Sequence, residues 1–290
     1  MSKGPVGCQS EILMKIRKSA HRGDKIDMSQ VVGRKDILFL CYDTLRYDAA
    51  MQEQQAGRTP NINRYGQWRK CHAAGSFTYP SHHAMFAGFL PFPWESESVF
   101  DARPLFFAKD IGMGRQVPPG AYLFDGANII EGLAKDGYET ICIGGVSFFN
   151  KRTQVNRVLP NMFRHSYWNP GFGCDAKDST QRQIDFACQK LAELPADKHV
   201  FLYINFSAIH YPNAHYLEGA TGDSVASQGA ALRYVDSCLP PLWKSILRRG
   251  GALVIATSDH GTCYGDDGKK YHGINHEVVN AVPYMEFIIE

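Results

Sequence analysis

The chain has 290 residues, of which 44% are hydrophobic and 21% are charged, so it can bury a large core and is not a disordered chain. Its 31 basic and 29 acidic residues give a formal net charge of +2, which excludes recognition of nucleic acid or anionic lipid through a strong overall field. No apolar run reaches the roughly 18 uncharged residues that span a bilayer.

The first 30 residues are predicted to form a separate N-terminal arm (1–30), followed by a single domain (31–290). The arm is charged where a signal peptide would need an apolar centre. The eight cysteines show no CxxC pair and are most simply free thiols. We therefore expect a cytoplasmic protein, with an arm that is either a short helix or disordered.

Apolar strand-like runs alternate with helical patterns along the rest of the chain. This alternation predicts an α/β fold with a mostly parallel central sheet between helices. Two aperiodic segments, 91–125 and 146–177, are expected to wall a site. The predicted strands cover 37–42, 140–143, 200–206 and 252–257, and the predicted helices cover 81–87, 127–136, 179–194 and 226–249.

The first predicted strand is followed directly by Asp43. A carboxylate at that point would lie at the carboxyl edge of the sheet, where open α/β sheets hold their ligands, and it could bind a cation. A turn-forming aspartate that caps the next segment is the alternative, because aspartate is common in turns for that reason alone. The position by itself does not decide between the two.

Residues 75–88, GSFTYPSHHAMFAG, indicate a polar turn that leads into a helix with Pro80 in its first turn. Thr78 is predicted to lie just ahead of that helix, in the positive field of its N-terminus, where an anion can be held. A hydroxyl there that also binds a cation is easier to deprotonate and can attack phosphorus or sulfur. The alternative is that Thr78 is a simple N-cap and Ser81 a surface residue.

Further candidate ligands lie in the last third of the chain. Asp259 and His260 follow the last predicted strand and suit a divalent ion such as zinc or manganese, although an Asp-His-Gly structural turn is the alternative. His210 and His272 each lie near a predicted strand end on the same rim, and His276 follows in YHGINHE. These histidines could contact a bound anion.

Several motifs occur in the order that a known family shows, namely DTLRYD, RTPNINRYG, SFTYPSHHAMFAGFLP and TSDHG. From about residue 35 onward, the chain resembles a sulfatase-like member of the alkaline phosphatase superfamily. The segment TYPSH is similar to the sulfatase nucleophile segment Cys-x-Pro-Ser-Arg, with Thr78 in place of the cysteine and His82 in place of the arginine. Threonine there is the pattern of nucleotide pyrophosphatases, phosphoethanolamine transferases and lipoteichoic acid synthases, and the last two fit the C-terminal motifs best.

The resemblance implies an alkaline phosphatase-like fold and a metal-dependent phosphoester hydrolase or phosphotransferase. Thr78 would attack phosphorus and form a covalent phospho-threonine, while His210 and His272 would contact the transferred group. Sulfate-ester hydrolysis on the same fold and a non-catalytic metal-binding accessory role are the alternatives. The implied metal ligands are Asp43, Thr78, Asp259 and His260. His276 is a further candidate for contact with the substrate. Arg46 and Lys270 are weaker candidates, and the expected role of each is a solvated surface charge.

The chain also departs from the family pattern. Two-metal relatives carry an aspartate four residues before the histidine of the segment matching NFSAIHYP, where this chain has Phe206. Asn205 is adjacent but is predicted to point to the other side of the strand. We therefore expect one divalent ion rather than two, zinc or manganese first, with magnesium or calcium also compatible. The membrane anchors of the transferases are missing, so the expected partner is a small-molecule phosphoester, without nucleic acid or membrane.

Overall fold

The computed structural model describes residues 26–89, 105–107 and 122–290. Most of the predicted arm (1–30) and most of the predicted wall segment 91–125 lie outside these residues. The described part of the arm contains one 3-10 turn at Met28–Gln30. Within the described part of the chain, no helix is both long and apolar enough to cross a membrane.

A mixed sheet with seven strands forms the centre of the described fold. In chain order the strands are β1 (Asp36–Tyr42), β2 (Arg69–His72), β3 (Leu105–Phe107), β4 (Tyr122–Phe124), β5 (Glu139–Ile143), β6 (His165–Tyr167), β7 (Val200–Phe206), β8 (Ala252–Thr257), β9 (Cys263–Tyr264), β10 (Lys270–Tyr271) and β11 (Ala281–Ile289). The sheet order is β2-β11-β8-β1-β7-β5-β6, and β3–β4 and β9–β10 form two separate pairs. Strands β8, β1, β7, β5 and β6 pair in parallel, whereas β11 pairs antiparallel with β8 and β2. The predicted mostly parallel α/β sheet is confirmed.

Helices cover both faces of this sheet. They are α1 (Tyr47–Gln55), α2 (Pro60–Asn63), α3 (Thr78–Ala87), α4 (Ile129–Lys135), α5 (Val155–Asn161), α6 (Ser179–Glu193), α7 (Val225–Cys238), α8 (Pro240–Arg248) and α9 (Glu277–Asn280). One apolar layer includes Ile184 of α6 and Leu232 of α7, and the other includes Phe86 of α3 and Leu159 of α5. Alternate residues of the central strands enter opposite layers, because successive strand side chains point to opposite faces.

Two predicted helices differ from the observed ones. The helix predicted over 81–87 starts three residues earlier, at Thr78, after Phe77 in extended conformation as its N-cap. The helix predicted over 226–249 is two helices, α7 and α8, which meet at Leu239. Pro240 and its neighbour begin the second helix because proline has no N–H to continue the hydrogen bonding of the first.

The register of the three central strands aligns their carboxyl ends. Cys41 of β1 pairs with Asn205 of β7 on one side and with Thr257 of β8 on the other. Asp43, which follows β1, and Asp259, which follows β8, therefore lie at the same edge of the sheet. The edge is the one at which open parallel sheets hold ligands.

Candidate metal and nucleophile site

Three buried side chains converge at this edge of the sheet. Asp43, Asp259 and His260 each offer one ligand atom, and these atoms lie within 4.8 Å of one another. Among the described residues, the Oδ1 atom of Asp43 and the Oδ2 atom of Asp259 are buried carboxylate oxygens without a hydrogen-bond partner. Such oxygens are costly unless a cation or proton compensates them. Two carboxylates and one imidazole therefore fit a divalent ion such as zinc or manganese.

The loop after β8 fixes both Asp259 and His260. The Oδ1 atom of Asp259 accepts hydrogen bonds from the backbone N–H of Thr44 at 3.2 Å and from that of His260 at 3.1 Å. The Nδ1–H of His260 donates to the carbonyl of Gly261 at 2.9 Å, which leaves Nε2 as the lone-pair nitrogen. A Cβ on Gly261 would lie 1.9 Å from the carbonyl oxygen of Val278, so only glycine allows this loop to pack there.

Asp43 is held by a residue that the sequence reasoning set aside. The Nδ2 group of Asn205 donates to Asp43 Oδ2 at 2.9 Å, and the Oδ1 atom of Asn205 accepts from the backbone N–H of Val146 at 3.0 Å. Phe206 is buried on the opposite face, where its ring contacts Tyr42 with centroids 5.3 Å apart. The two side chains do point to opposite sides, but the site lies on the side of Asn205. The predicted opposite orientation of the two side chains is therefore confirmed, but Asn205 rather than Phe206 faces the site.

Thr78 approaches His260 from α3. Its Oγ1 atom lies 3.4 Å from Nε2 of His260, and its side chain is buried. Thr78 is the first residue of α3 rather than a residue ahead of it, yet it still occupies the first turn, where backbone N–H groups are free. Ser81 is buried and donates to the carbonyl of Asp259 at 2.8 Å, so the alternative of a surface Ser81 is wrong.

His82 lies one helical turn after Thr78 in α3 and has a role that the sequence did not indicate. Its Nδ1–H donates to the carbonyl of Thr78 at 2.7 Å, and its Nε2 accepts from the hydroxyl of Tyr203. Burial lowers the pKa of His82 to about 3, so the ring stays neutral. Both ring nitrogens are therefore committed to positioning α3 on β7.

His210 and His272 flank the site. The ring of His272 lies 4.5 Å from that of His260 and 5.4 Å from that of His210, centroid to centroid. The Nδ1–H of His210 donates to the carbonyl of Tyr211 at 2.6 Å. Burial, followed by the neighbouring His260 and His210, lowers the pKa of His272 to about 3, which keeps this imidazole neutral in the absence of a bound anion.

The weaker candidates lie in different surroundings. Arg46 is 4% exposed and bound by two carboxylates at 2.6 and 2.9 Å, so the expectation of a solvated surface charge is wrong for it. His276 caps α9 and bonds to Asp267 at 3.1 Å, which commits its ring to the local loop. Lys270 is exposed to solvent.

Burial dominates the electrostatics of the carboxylates. It raises the pKa of Asp259 to about 7, and together with the negative charge of Asp259 it raises the pKa of Asp43 to about 6. Burial lowers the pKa of His260, which favours the neutral form that binds cations. A divalent cation would stabilise the charged carboxylates in place of protons, so metal binding and proton release are coupled here.

The chain was compared with known families and structures. The family profile described as Sulfatase matches residues 35–284. No curated protein sequence matches the chain. Among solved structures, it is similar to the C-terminal periplasmic domain of phosphoethanolamine transferase EptC from Campylobacter jejuni, with 14% identity and a TM-score of 0.59 over 88% of this chain and 79% of that one.

Two further structures are similar over comparable lengths. The lipoteichoic acid synthase LtaP from Listeria monocytogenes has 12% identity and a TM-score of 0.55, over 92% of this chain and 69% of that one. The C-terminal periplasmic domain of EcEptC from Escherichia coli, in complex with zinc, has 12% identity and a TM-score of 0.56, over 88% of this chain and 73% of that one. At these identities, the likeness to solved structures establishes the fold alone.

Proposed function

Because this chain belongs to the sulfatase family, as its TYPSH and TSDHG motifs predict, we propose that it is a metal-dependent phosphoester hydrolase or phosphotransferase with Thr78 as its nucleophile. One observation carries the proposal. The Thr78 hydroxyl lies 3.4 Å from Nε2 of His260, beside three buried ligands that have come together from the ends of β1 and β8. A hydroxyl and a cation site in this arrangement are what nucleophilic phosphoryl transfer requires.

Phosphorus is favoured over sulfur because of the residue at position 78. Sulfatases have at the matching position a cysteine that is oxidised to formylglycine, and threonine has no thiol to undergo that conversion. A threonine hydroxyl is competent to attack phosphorus directly once it is oriented and activated. Sulfate-ester hydrolysis remains the second candidate because the chain is a member of the sulfatase family.

In the proposed reaction, the Oγ1 atom of Thr78 forms a bond to phosphorus, the bond from phosphorus to the leaving oxygen breaks, and the hydroxyl proton passes to water. A bound divalent cation would lower the pKa of that hydroxyl and neutralise charge on the phosphoryl oxygens. The N–H of neutral His272 donates a hydrogen bond to one of the remaining oxygens, and His210, with a proton on Nε2 as well, contacts another oxygen and supplies the proton that the leaving oxygen takes up. Water or an alcohol then attacks the phospho-threonine and releases Thr78.

Asp43, Asp259 and His260 would hold the cation, with Asn205 fixing the orientation of Asp43. We expect one ion, with zinc first because EcEptC was solved with zinc and the oxygen and nitrogen ligands suit it. The proposed substrate is a small phosphoester. A cytoplasmic location also stays a proposal: the seven described cysteines are free, whereas the solved neighbours include periplasmic domains.

The test compares Thr78→Ala with Thr78→Ser in protein reloaded with zinc or manganese. Nitrophenyl phosphate, bis-nitrophenyl phosphate and nitrophenyl sulfate are supplied separately, and phosphate and sulfate release are measured. We expect phosphoester turnover that falls by roughly a thousandfold or more in Thr78→Ala, as for loss of a nucleophile, and is partly kept in Thr78→Ser. Peptide mass spectrometry after an acid quench should locate a phosphoryl group on Thr78.

Two outcomes would contradict the proposal. Faster release of sulfate than of phosphate would favour the sulfatase alternative. Absence of turnover for every ester in metal-loaded protein, with unchanged ligand binding in Thr78→Ala, would favour the accessory role. Thr221→Ala is the matched control, since Thr221 is exposed, lies outside both segments predicted to wall the site and should not affect turnover.

A further inference from the structure

A pair of tyrosine rings forms the next layer outward from the candidate site. Tyr211 and Tyr271 have ring centroids 5.1 Å apart with planes inclined at 54°. Tyr211 also lies 4.1 Å from the ring of His210 and 5.6 Å from that of His272. The pair therefore adjoins both histidines that flank the site.

Tyr271 forms the solvent side of this layer. Its side chain is 56% exposed, the largest exposure among the exposed large hydrophobic residues of the described chain. Core packing therefore does not account for its position. One part of the Tyr271 ring contacts Tyr211, which in turn contacts His210, and the rest of the ring is exposed to solvent. A large aromatic ring in this position can pack against a bound ligand.

The backbone at Tyr271 is strained. Its φ of +67° lies in the left-handed region, which bulky residues rarely adopt, and such strain persists mainly where surrounding structure enforces it, often at functional sites. Tyr271 pairs with Cys263 in the β9–β10 ladder, and the N–H of Gly273 donates to the carbonyl of Ser76 at 2.7 Å. The strand on one side and the Ser76 contact on the other hold the ring in place.

We propose that Tyr211 and Tyr271 form a subsite for the leaving group, and that the preferred substrate is a phosphoester whose leaving group carries a planar aromatic ring. This inference rests on the proposed function. In an in-line transfer the leaving group departs on the side opposite the nucleophile. From Thr78 outward, the order of contacts runs through His260 and His272 to the tyrosines.

Stacking explains why a ring is favoured over an alkyl chain. Aromatic rings gain from offset or edge-to-face contact in addition to the burial of their surface, whereas an alkyl group gains from burial alone. Two tyrosine rings inclined to each other present both a face and an edge to the same ligand. We expect this to favour an aryl over a small alkyl group by roughly tenfold in affinity.

The test measures binding of phenylphosphonate and methylphosphonate to zinc-loaded protein by calorimetry, and kcat/KM for phenyl phosphate and ethyl phosphate. The variants are Tyr271→Leu, Tyr271→Phe and, as a control at a distant exposed apolar residue, Leu247→Ala. We expect Tyr271→Leu to remove most of the roughly tenfold phenyl preference, while Tyr271→Phe and Leu247→Ala keep it. Comparing each variant's own phenyl-to-alkyl ratio with that of the wild type cancels differences in leaving-group reactivity.

The outcomes separate this inference from the proposed function. A phenyl preference that is the same in Tyr271→Leu, or an equal loss for both phosphonates, would overturn the subsite. Phosphoester turnover without a phenyl preference would leave the proposed function standing and remove the subsite. A phenyl preference in binding that depends on Tyr271, with no turnover of any ester, would support the subsite and contradict the proposed function. Absence of both binding and turnover would contradict both.

Discussion

The buried pair of His82 and Tyr203 allows a sharp test of how the nucleophile helix is positioned. The ring of His82 donates to the Thr78 carbonyl and accepts from the Tyr203 hydroxyl, and all three residues are buried. His82→Phe keeps the ring volume but removes both hydrogen bonds. Tyr203→Phe removes only the hydroxyl and leaves Nε2 of His82 without its donor.

The expected magnitudes follow from the number of buried groups that each change leaves unpaired. An unsatisfied buried polar group costs about 1–3 kcal/mol. His82→Phe leaves the Tyr203 hydroxyl unpaired and removes one of the two hydrogen bonds to the Thr78 carbonyl, which keeps its helical partner at residue 82, so it should lower the free energy of unfolding by about 3 kcal/mol. Tyr203→Phe leaves one nitrogen of His82 unpaired and should cost about 2 kcal/mol. The double variant has neither hydroxyl nor imidazole to leave unpaired, so it should cost about 2 kcal/mol, well below the sum of the single changes.

The assay is urea unfolding of the four proteins at pH 7, followed by intrinsic fluorescence, with and without zinc. Tyr138→Phe, at a tyrosine that bonds to the loop before β1, is the control and should add to His82→Phe independently. Additivity of His82→Phe and Tyr203→Phe within about 0.5 kcal/mol would refute the reasoning. Because the pKa of His82 is lowered to about 3, the coupling should not change between pH 5 and pH 8, roughly the range in which ordinary histidines titrate.

Three further predictions concern the rest of the site. Burial raises the pKa of Asp43 to about 6 and that of Asp259 to about 7, above their ordinary 3.8, so the folded state keeps protons that the unfolded state releases. Metal-free protein should therefore lose thermal stability as pH rises from about 4 to about 7, and zinc should reverse this; a Tm that rises over that range would contradict it. Gly145→Ala places a Cβ 2.3 Å from the carbonyl oxygen of Asn205 and should weaken zinc binding by about tenfold in calorimetry, whereas unchanged affinity would show that the Asn205 contact is dispensable. Arg46→Met removes two ion pairs of a buried side chain and should lower the free energy of unfolding by about 2 kcal/mol; the loss is not larger because solvent partly screens both carboxylates. An unchanged free energy in urea unfolding would count against a structural role.

The central strands and the strand-end aspartates could be predicted from the sequence. The runs predicted at 200–206 and 252–257 coincide with β7 and β8, because β-branched and aromatic residues in short apolar runs favour buried parallel strands. Parallel strands share one carboxyl edge, so polar residues that follow them are close in space. That is why Asp43 and Asp259 could be associated before any distance was known.

Other features depend on contacts that the sequence does not display. Strand β11 was not predicted, because its place between β8 and β2 is determined by pairing with distant strands and Pro283 interrupts its pattern. The sequence could not show that Asn205 points towards the site, because this depends on which face of the sheet α3 and Thr78 pack against. Arg46 looked like a surface charge because one of its two carboxylate partners, Asp266, lies 220 positions away and is brought to it only by the fold.

The candidate cation site is built from segments that are made at very different times during translation. Thr44, whose backbone N–H holds Asp259, precedes it by 215 positions. A nascent polypeptide that has not yet produced β8 and the loop after it would have Asp43 but neither of the other two ligands. Stalled or truncated translation products that lack Asp259 and His260 should therefore not bind zinc at this site. Zinc binding should begin only after these two residues have been synthesised and have emerged from the ribosome.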